Sequence, residues 1–584
     1  MPDPLGQATT LNEALEQRVR LSGSRNWLTL YAKDRLVATL TFEQLLGGAA
    51  AWAGRLAEEG AEPGDRVLLI LPTERSFYEA YWGILLAGAV PVPAYPPVRL
   101  GRMEEYLQSL RGLAENSGAR YLVTNELIRP LLRPLEQTNR GRLTILLSTE
   151  VQSQKPAPAV KPASADLALL QYTSGSTGSQ KGVMLTHANL LANLRAIGTN
   201  IGLGPDDLGV SWLPLYHDMG LIGLMLGTLY WGSSLVAMSP VDFLRKPARW
   251  LHALSGDRPK VTAGPNFAYS LAARKIRDAD LAGVELSGWR LALCGAEPIY
   301  PSTIETFTRR YEPLGFRPEA FFPAYGLAEN TLAVSFSELG ARPHVEHVDA
   351  RALEVEGAAV PRAPGEGTRP VVSVGFPLDT VQVAIHGEDG LLGEGARGEV
   401  LLRGPSVTPG YFGNEEATAQ ALRGGWLHTG DLGFVLKRRL YICGRKKDMV
   451  IKGGRNYFAE DLEAAAAVVP GVRAGGLCVL SAENPERGTE EVVLVAEAAD
   501  GTNPEALRDS LRTAVAVATG CKPDRIVLVP ARTLPKTSSG KIQRFKARQW
   551  YLDGSLAKRG GERQTSGFWV YAKAWLKDKI SRAS

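Results

Sequence analysis

The sequence has few cysteines, little net charge and no long hydrophobic run that is free of polar interruptions. Four cysteines occur in 584 residues, without a CxxC pair, at Cys294, Cys443, Cys478 and Cys521. This pattern indicates neither a disulfide framework nor a cysteine zinc site, and it suits a reducing cytoplasm, where we expect the protein. The net charge of +5 is small for this length, so nucleic acid is not expected as the main partner.

A membrane span is not expected either. The N-terminal segment MPDPLGQATT lacks the basic stretch and apolar run of a signal peptide. Residues Leu221–Met238 carry no charge and are roughly as long as a membrane span. Three glycines and four hydroxyl-bearing residues dilute this stretch, so we predict a buried helix followed by a buried strand.

The length and the local patterns predict an α/β protein of more than one domain. Arg66–Leu71 has the apolar run of a buried strand, Phe77–Ala87 has a helical pattern, and Ala89–Pro93 indicates a second strand. Strand, helix and strand at this spacing are typical of βαβ units in a mainly parallel sheet.

Three segments interrupt the regular patterns. Residues 151–165 and 360–370 are rich in proline and small residues, which predicts loops or linkers. The polar run Gly444–Asp448 is a third break, after which strand and helix patterns resume on a smaller scale. We therefore expect a small α+β domain after this run.

One loop has the composition of a phosphate-binding turn. The predicted strand Leu167–Tyr172 leads into small residues that are followed by Lys181, and Thr186 then has the position of a helix N-cap. Exposed N–H groups of such a turn can surround phosphate oxygens, and glycines permit the close approach. The turn consists of Thr173, Ser174, Gly175, Ser176, Thr177 and Gly178. Composition alone leaves a flexible surface turn equally possible, and the Walker A spacing is absent.

The stretch TSGSTGSQKGV resembles the phosphate-loop signature of the adenylate-forming superfamily, which includes acyl-CoA synthetases, adenylation domains and fatty acyl-AMP ligases. Gln180 departs from the proline that is usual in that signature. The superfamily fold implied is a large N-terminal domain with mainly parallel sheets packed by helices, plus a small mobile α+β C-terminal domain. We place the first domain at 1–444, the hinge at 445–448 and the second domain at 449–584, and we expect a monomer.

Further motifs follow in the order of this superfamily and imply the binding of ATP and Mg²⁺. The segment that lies along adenine is matched by Gly295, Ala296 and Glu297. The YGxTE-like segment contains Tyr325, whose ring would stack on adenine, the adjacent Gly326 as a further adenylate-binding position, and Glu329, for the metal ion. An oxygen ligand suits Mg²⁺.

The last motifs imply the ribose contact, the hinge and the catalytic lysine. Asp431 matches the residue that accepts hydrogen bonds from the ribose hydroxyls, and Arg445 matches one that contacts ribose or phosphate. Lys447 falls at the pivot of the hinge motif. Lys541, in a loop rich in glycine and serine, matches the catalytic lysine. Taken alone, Lys541 would be interpreted as an exposed lysine in a loop, Tyr325 as a core aromatic residue and Glu329 as a surface carboxylate.

Three features resemble the fatty acyl-AMP ligase branch. They are the segment VPAYPP at 92–97, the segment WLPLYHDMG at 212–220, and a predicted branch-specific insertion at 338–370, before an expected strand at Val372–Phe376. The resemblance implies that His217 sits at the mouth of an acyl pocket. Met219, Leu221, Ile222 and Leu224 could line or back that pocket, and plain core packing is at least as compatible with each of them.

The implied reaction is activation of a medium- or long-chain fatty acid with ATP to an acyl-adenylate and pyrophosphate. The acyl group would then pass to the phosphopantetheine thiol of an acyl carrier protein. Two alternatives stay open: a fatty acyl-CoA synthetase that uses CoA, and a non-catalytic module that binds nucleotide or acyl-adenylate. The presence of both Glu329 and Lys541 argues against the second alternative.

Overall fold

The structure is a computed structural model that describes residues 3–97, 103–138, 143–151, 160–173, 180–452, 455–484, 489–537 and 540–556. Within these ranges the chain forms a large N-terminal part and a small C-terminal part, which meet at a short 3₁₀ helix, Lys446–Asp448. Most of the predicted linker at 151–165, and residues 557–584 of the expected C-terminal domain, lie outside the described residues.

The strands of the N-terminal part form one large mixed sheet, one smaller parallel sheet, one antiparallel sheet and two separate two-stranded ribbons. They are β1 Asn26–Ala32, β2 Arg35–Thr41, β3 Arg66–Leu69, β4 Val90–Pro93, β5 Tyr121–Thr124, β6 Thr144–Leu147, β7 Leu167–Thr173, β8 Lys181–Thr186, β9 Leu208–Ser211, β10 Ser234–Met238, β11 Lys260–Gly264, β12 Trp289–Cys294, β13 Phe321–Gly326, β14 Ala333–Phe336, β15 Val345–Asp349, β16 Thr368–Val372, β17 Phe376–Pro377, β18 Gln382–His386, β19 Leu391–Leu392, β20 Gly398–Arg403, β21 Leu422–Arg423, β22 Trp426–Leu436 and β23 Arg439–Arg445. The two ribbons are β7-β8 and β15-β16.

Helices cover the faces of these sheets. They are α1 Leu11–Ser22, α2 Phe42–Glu58, α3 Arg75–Leu86, α4 Met103–Ser117, α5 Arg129–Thr138, α6 His187–Ile201, α7 Gly227–Trp231, α8 Pro240–Arg245, α9 Ala248–Ala253, α10 Asn266–Lys275, α11 Pro301–Tyr311 and α12 Glu415–Ala421. Two π-helices, Met219–Leu226 and Ala352–Glu356, and short 3₁₀ turns complete this part.

The C-terminal part has strands on one small sheet and a separate two-stranded ribbon. Its elements are β24 Met449–Lys452, β25 Arg455–Phe458, α13 Ala459–Ala467, β26 Val472–Asn484, β27 Thr489–Ala498, α14 Pro504–Thr519, β28 Arg525–Val529 and α15 Arg544–Leu552. Strand β27 pairs antiparallel with β26 and parallel with β28. This arrangement has the α+β character expected from the sequence.

Both faces of the small sheet are buried, and successive side chains of β27 pack into two different cores. Val492 and Leu494 belong to a core with α13 and α14, whereas Val493 and Val495 belong to a second core with Ala547 of α15. Because successive residues of a strand point to opposite faces, one strand can contribute to both cores.

The nine-stranded sheet positions most of the motifs found in the sequence. Its order is β17-β14-β13-β12-β11-β9-β10-β1-β2, and the neighbours from β13 to β1 are parallel. Strand β9 is followed by the segment of His217, and β12 is followed directly by Gly295. Tyr325 lies at the end of β13. The carboxyl ends of parallel strands meet at one edge of a sheet, which is where open α/β sheets bind ligands. The mainly parallel α/β fold is confirmed.

The predicted βαβ unit is confirmed in the parallel sheet β4-β3-β5-β6, where α3 connects β3 to β4. The predicted helix and strand in Leu221–Met238 are confirmed as the π-helix, α7 and β10, all largely buried. Within the described ranges no helix combines the length and the apolar character needed to cross a bilayer.

The region of the predicted insertion has structure of its own. Strands β15 and β16 pair antiparallel, and Val348, Leu353 and Val371 pack with Phe434 of β22. The expected strand at Val372–Phe376 is wrong, because β16 ends at Val372 and β17 begins at Phe376. Between them Gly375 has φ +82°, and a Cβ there would lie 1.8 Å from the Phe336 carbonyl oxygen. This close approach requires glycine and interrupts the strand.

Candidate active site

One continuous cavity lies at the junction of the two parts, and it brings together motifs that are far apart in the sequence. Predicted site residues that line it are Thr173, Lys181, His217, Met219, Gly295, Ala296, Glu297, Tyr325, Gly326, Glu329, Asp431, Arg445, Lys447 and Lys541. Five predicted residues of the phosphate loop lie outside the described residues, namely Ser174, Gly175, Ser176, Thr177 and Gly178.

The predicted phosphate loop connects the two strands of a hairpin. Strands β7 and β8 pair antiparallel, with Thr173 opposite Lys181 at the loop end. Thr186, at the other end of β8, caps α6 by accepting a hydrogen bond from the Asn189 N–H at 3.1 Å. The hairpin therefore presents both ends of the loop to the cavity, while the capped helix anchors β8 in the core.

The segment after β12 approaches the end of β13 closely. A Cβ on Gly295 would lie 2.8 Å from the Ala324 carbonyl oxygen, so only glycine fits without a shift. Ala296 has φ +66°, a left-handed conformation that is uncommon outside glycine. Strained backbone of this kind is frequent at ligand sites. Glu297 accepts a hydrogen bond from the Phe267 N–H, and burial raises the pKa of its carboxyl group.

Tyr325, Asp431 and Arg445 form one connected group. Strands β22 and β23 place Arg445 opposite Asp431, and Arg445 Nε lies 2.9 Å from Asp431 Oδ1. The Tyr325 hydroxyl donates to Asp431 Oδ2 at 2.6 Å. Burial, reinforced by Asp431, raises the pKa of Tyr325 well above its usual value, so the phenol stays protonated and remains a donor.

Glu329 is held from two sides. Its backbone carbonyl accepts a hydrogen bond from the Thr408 N–H at 2.8 Å. Its Oε1 accepts a hydrogen bond from the Tyr411 hydroxyl, also at 2.8 Å. The Lys181 ammonium lies 4.9 Å from the centroid of the Tyr411 ring, within the range of a cation–π contact. Tyr411 thus connects a predicted metal ligand with the lysine of the phosphate loop.

Lys541 reaches the cavity from the C-terminal part. Its loop is closed by a hydrogen bond from the Lys541 N–H to Thr537 Oγ1 at 3.0 Å. Burial lowers the pKa of the Lys541 ammonium, while the negative charges of Asp218 and Glu297 oppose that shift. Asp218 in turn lies 2.6 Å from His217, between Asp218 Oδ1 and His217 Nδ1. Desolvation tends to raise the pKa of Asp218, but His217 and Lys541 outweigh it and the pKa is lowered.

A cluster of carboxylates connects the loop of Lys541 to the predicted hinge region. Arg544, three residues after Lys541, lies 3.2 Å from Asp448 Oδ2, 3.2 Å from Glu460 Oε1 and 2.7 Å from Glu463 Oε2. Burial raises the pKa of Glu460 to about 7, although Arg544 opposes this shift. Lys447 lines the cavity beside this cluster, and burial lowers the pKa of its ammonium.

Of the residues expected to line or back an acyl pocket, Met219 and Leu224 line the cavity and Leu221 and Ile222 do not; the segment that carries them is a π-helix. Met219, Gly223, Leu224 and Thr228 line the cavity. Leu221 and Ile222 are fully buried in the core and are not among the lining residues. The i→i+5 hydrogen bonds of a π-helix widen the turn beyond the 3.6 residues of an α-helix, so residues four and five apart share a face.

Three contributors to the cavity were not singled out in the sequence as site residues. Asp218 lies within the WLPLYHDMG motif, next to His217, so the motif could have indicated it as a site residue. Tyr411 follows only a Pro-Gly turn, and Arg369 lies in the insertion, so neither had a local signal of chemistry. Both acquire their partners through tertiary contacts.

Comparisons with known proteins agree with this geometry. The family model described as AMP-binding enzyme matches residues 24–412. A Caulobacter vibrioides protein with the provisional name acyl-CoA synthetase is 34% identical and covers 94% of this chain and 96% of its own length. The medium-chain-fatty-acid–[acyl-carrier-protein] ligase JamA of Moorena producens is also 34% identical, with the same two coverages, 94% and 96%. A structure from a study of fatty acyl-adenylate ligases of E. coli and L. pneumophila has a TM-score of 0.88 at 34% identity, and covers 95% of this chain and 99% of that one.

Proposed function

This chain belongs to the AMP-binding enzyme family, and from that membership we propose that it is an ATP-dependent fatty acyl-AMP ligase that delivers its acyl group to an acyl carrier protein. One observation carries the proposal. Lys541 of the C-terminal part lines the same cavity as the group formed by Tyr325, Asp431 and Arg445. The geometry suits adenylate formation, in which a lysine must reach the reacting carboxylate and phosphate.

The reaction is an in-line attack of the fatty acid carboxylate on the α-phosphorus of ATP. A new C–O–P linkage forms, and the bond to the β-phosphate breaks, so that pyrophosphate leaves. The protein has to position two anions and offset the negative charge that develops between them. The Lys541 ammonium bridges carboxylate and α-phosphate in this proposal. The adjacent carboxylates Asp218 and Glu297 favour its charged form and offset part of the desolvation.

The remaining groups hold ATP. The Tyr325 ring stacks on adenine, and Asp431 accepts hydrogen bonds from the ribose hydroxyls. The Asp431 carboxylate accepts a hydrogen bond from the Tyr325 hydroxyl and forms an ion pair with Arg445. Its orientation is therefore fixed before the nucleotide binds. Lys181, together with the loop that follows Thr173, contacts the β- and γ-phosphates. Preorganised groups of this kind cost little reorganisation during the reaction.

The residues present fit a magnesium ion carried by ATP. Glu329 lines the cavity on the side of Lys181, and it offers carboxylate oxygens, the donors that Mg²⁺ prefers. Within the described ranges no three His, Cys, Asp or Glu side chains gather as a metal site. A single carboxylate beside the phosphates is what a nucleotide-borne Mg²⁺ ordinarily uses. The ion would neutralise charge on the phosphates.

The acceptor thiol of the second half-reaction is proposed to be the phosphopantetheine of a carrier protein, the acceptor named for JamA. A contact between the insertion and the C-terminal part supports selection against CoA. Arg369 Nη2 donates to Asp461 Oδ1 at 2.9 Å and to the Cys443 carbonyl at 3.0 Å. The Arg369 guanidinium also lies 4.5 Å from the centroid of the Phe458 ring. The contacts with Asp461 and Phe458 oppose the domain rotation that thiol transfer requires, and a carrier protein, unlike CoA, has a protein surface whose contacts can offset that cost.

A fatty acyl-CoA synthetase is the second candidate, because the C. vibrioides relative has that provisional name. The experiment that separates the two candidates uses the protein with ATP, Mg²⁺ and saturated fatty acids of graded length. CoA or a phosphopantetheinylated carrier protein is added as acceptor. Acyl-AMP and acylated carrier without acyl-CoA is the expected result by mass spectrometry. Abundant acyl-CoA would establish the synthetase, and absence of acyl-AMP with every acid would overturn the proposed function.

A further inference from the structure

The segment that contains Tyr411 is fixed against β8 by its backbone. Tyr411 forms a β-bridge with Val183, and the Phe412 N–H donates to the Gly182 carbonyl at 2.8 Å. The Met184 N–H donates to the Gly410 carbonyl at 3.0 Å. Because β8 begins at Lys181, the Tyr411 ring has a defined position relative to the end of the phosphate loop.

The same segment is also fixed to the backbone of Glu329. The Thr408 N–H donates to the Glu329 carbonyl, and Thr408 Oγ1 donates to the Met184 carbonyl at 2.6 Å. The backbones of β8, of residues 408–412 and of Glu329 thus form one hydrogen-bonded frame. Within this frame the Tyr411 hydroxyl reaches Glu329 Oε1 at 2.8 Å, while its ring faces Lys181.

The two contacts of Tyr411 use different parts of the side chain. The hydroxyl restricts the Glu329 carboxylate to one orientation, as groups behind a metal ligand commonly do. The ring attracts the Lys181 ammonium through its π-electrons and requires no hydroxyl.

We propose that Tyr411 is a positioning residue for the phosphates of ATP, through its hydroxyl on Glu329 and its ring on Lys181. This inference rests on the proposed function, because it takes Glu329 and Lys181 to face the metal-bearing phosphates. The hydroxyl and the ring of Tyr411 have separate roles in this inference. Loss of the hydroxyl weakens binding of magnesium-bearing ATP, and loss of the ring weakens binding of ATP whether or not magnesium is present.

The test is calorimetric titration of the full-length protein with ATP, without fatty acid, once with Mg²⁺ and once with EDTA. Tyr411→Phe removes only the hydroxyl, and Tyr411→Leu removes hydroxyl and ring. We expect Tyr411→Phe to raise the Kd of MgATP about tenfold and to leave the Kd of metal-free ATP unchanged. Tyr411→Leu should raise both dissociation constants.

A matched control is Tyr311→Phe, which deletes another buried hydroxyl, one that donates to the Ala272 carbonyl at 2.8 Å away from the cavity. It should bind both forms of ATP like the wild type. Glu329→Gln combined with Tyr411→Phe should lose no more MgATP affinity than Glu329→Gln alone, since the hydroxyl acts through Glu329. Circular dichroism and melting curves verify that each variant is folded.

Two results would overturn the inference. One is wild-type MgATP affinity in folded Tyr411→Phe, and the other is an equal loss with and without Mg²⁺. If the wild type forms acyl-AMP in either case, the proposed function stands and only the role of Tyr411 fails. If the wild type binds MgATP but forms no acyl-AMP with any fatty acid, the proposed function fails. The magnesium-specific loss in Tyr411→Phe would still support the positioning role.

Discussion

Arg369 and Asp461 join the predicted insertion of the N-terminal part to helix α13 of the C-terminal part, with Arg369 Nη2 2.9 Å from Asp461 Oδ1. The Arg369 side chain is 12% exposed and the Asp461 side chain 31% exposed. The pair is therefore shielded enough to contribute more than a surface ion pair, which is typically worth about 1 kcal/mol or less. It is a polar contact through which the segment that contains Arg369 opposes movement of the small part.

We expect Arg369→Ala to release the C-terminal part. Loss of hydrogen bonds to a charged group costs about 1.5–3 kcal/mol, so opening of the junction should become roughly ten- to a hundredfold more frequent. Trypsin should cut faster after Lys446 and Lys447 in the hinge, and acyl-CoA should appear when CoA is supplied. Gel electrophoresis of timed digests and mass spectrometry of products measure the two effects.

The matched control for that variant is Arg362→Ala. Arg362 pairs with Asp349 at 2.8 Å, so both partners belong to the insertion and the pair does not involve the C-terminal part. Its digestion and product pattern should equal those of the wild type. Unchanged digestion of Arg369→Ala would mean that this contact does not restrain the hinge.

Lys541→Ala should separate the two half-reactions. Removal of one charge-assisted donor to a developing anion costs roughly 10²–10³-fold in rate, so pyrophosphate release should fall by about that factor. Consumption of supplied acyl-AMP by an acyl carrier protein should stay near the wild-type rate, because this step does not need the lysine. Lys522→Ala, at an exposed position of the C-terminal part, serves as the control. Adenylation at an undiminished rate in Lys541→Ala would contradict the assigned role.

Gly223→Val should shorten the preferred fatty acid. Gly223 lies in the cavity wall, and a Cβ there would be 3.0 Å from Leu332 Cδ2, a flexible side-chain end that can move slightly. The two additional methyl groups would narrow the channel. We expect kcat/KM to fall about tenfold or more for long acids and to change little for short ones.

Acyl-AMP formation across a series of acid lengths measures this shift. Gly47→Val, in α2 where nothing lies within 4 Å of an added Cβ, is the control for a general effect of the substitution. An unchanged profile in Gly223→Val would show that the acyl chain does not pass this residue.

Glu460 should make stability depend on pH in the neutral range. Its pKa is raised from 4.5 to about 7, mainly by burial. Between these values the native protein keeps a proton that the unfolded chain has lost. Unfolding therefore becomes easier as pH rises from about 4.5 to 7, and the stabilisation is lost above that.

Glu460→Gln keeps a neutral side chain at every pH, so it should lose less stability than the wild type over this range. We expect the wild-type Tm to fall by a few degrees relative to Glu460→Gln between pH 5 and pH 8, as measured by calorimetry. Glu16→Gln, at an exposed position of α1, should follow the wild type. Parallel Tm curves for wild type and Glu460→Gln would contradict the buried, protonated state.

The local sequence was sufficient for several parts of the molecule. The βαβ unit at 66–93, the strand and helix on either side of the phosphate loop, and the buried segment 221–238 were all predictable. Their apolar spacing, caps and glycines act over short distances along the chain. The motif order was also sufficient to indicate the family, because each motif keeps its residues within a few positions.

Tertiary structure decided the rest. In an α-helix, Ile222 would lie on the same face as Met219, three residues earlier. In the π-helix it lies on another face and is buried in the core. Tyr411 and Arg369 became relevant only through partners that lie 82 and 92 residues away along the chain. A sequence pattern indicates which face of a helix or strand is apolar. It does not report helix pitch or the long-range partner of a single polar side chain, because both depend on packing that only the complete fold provides.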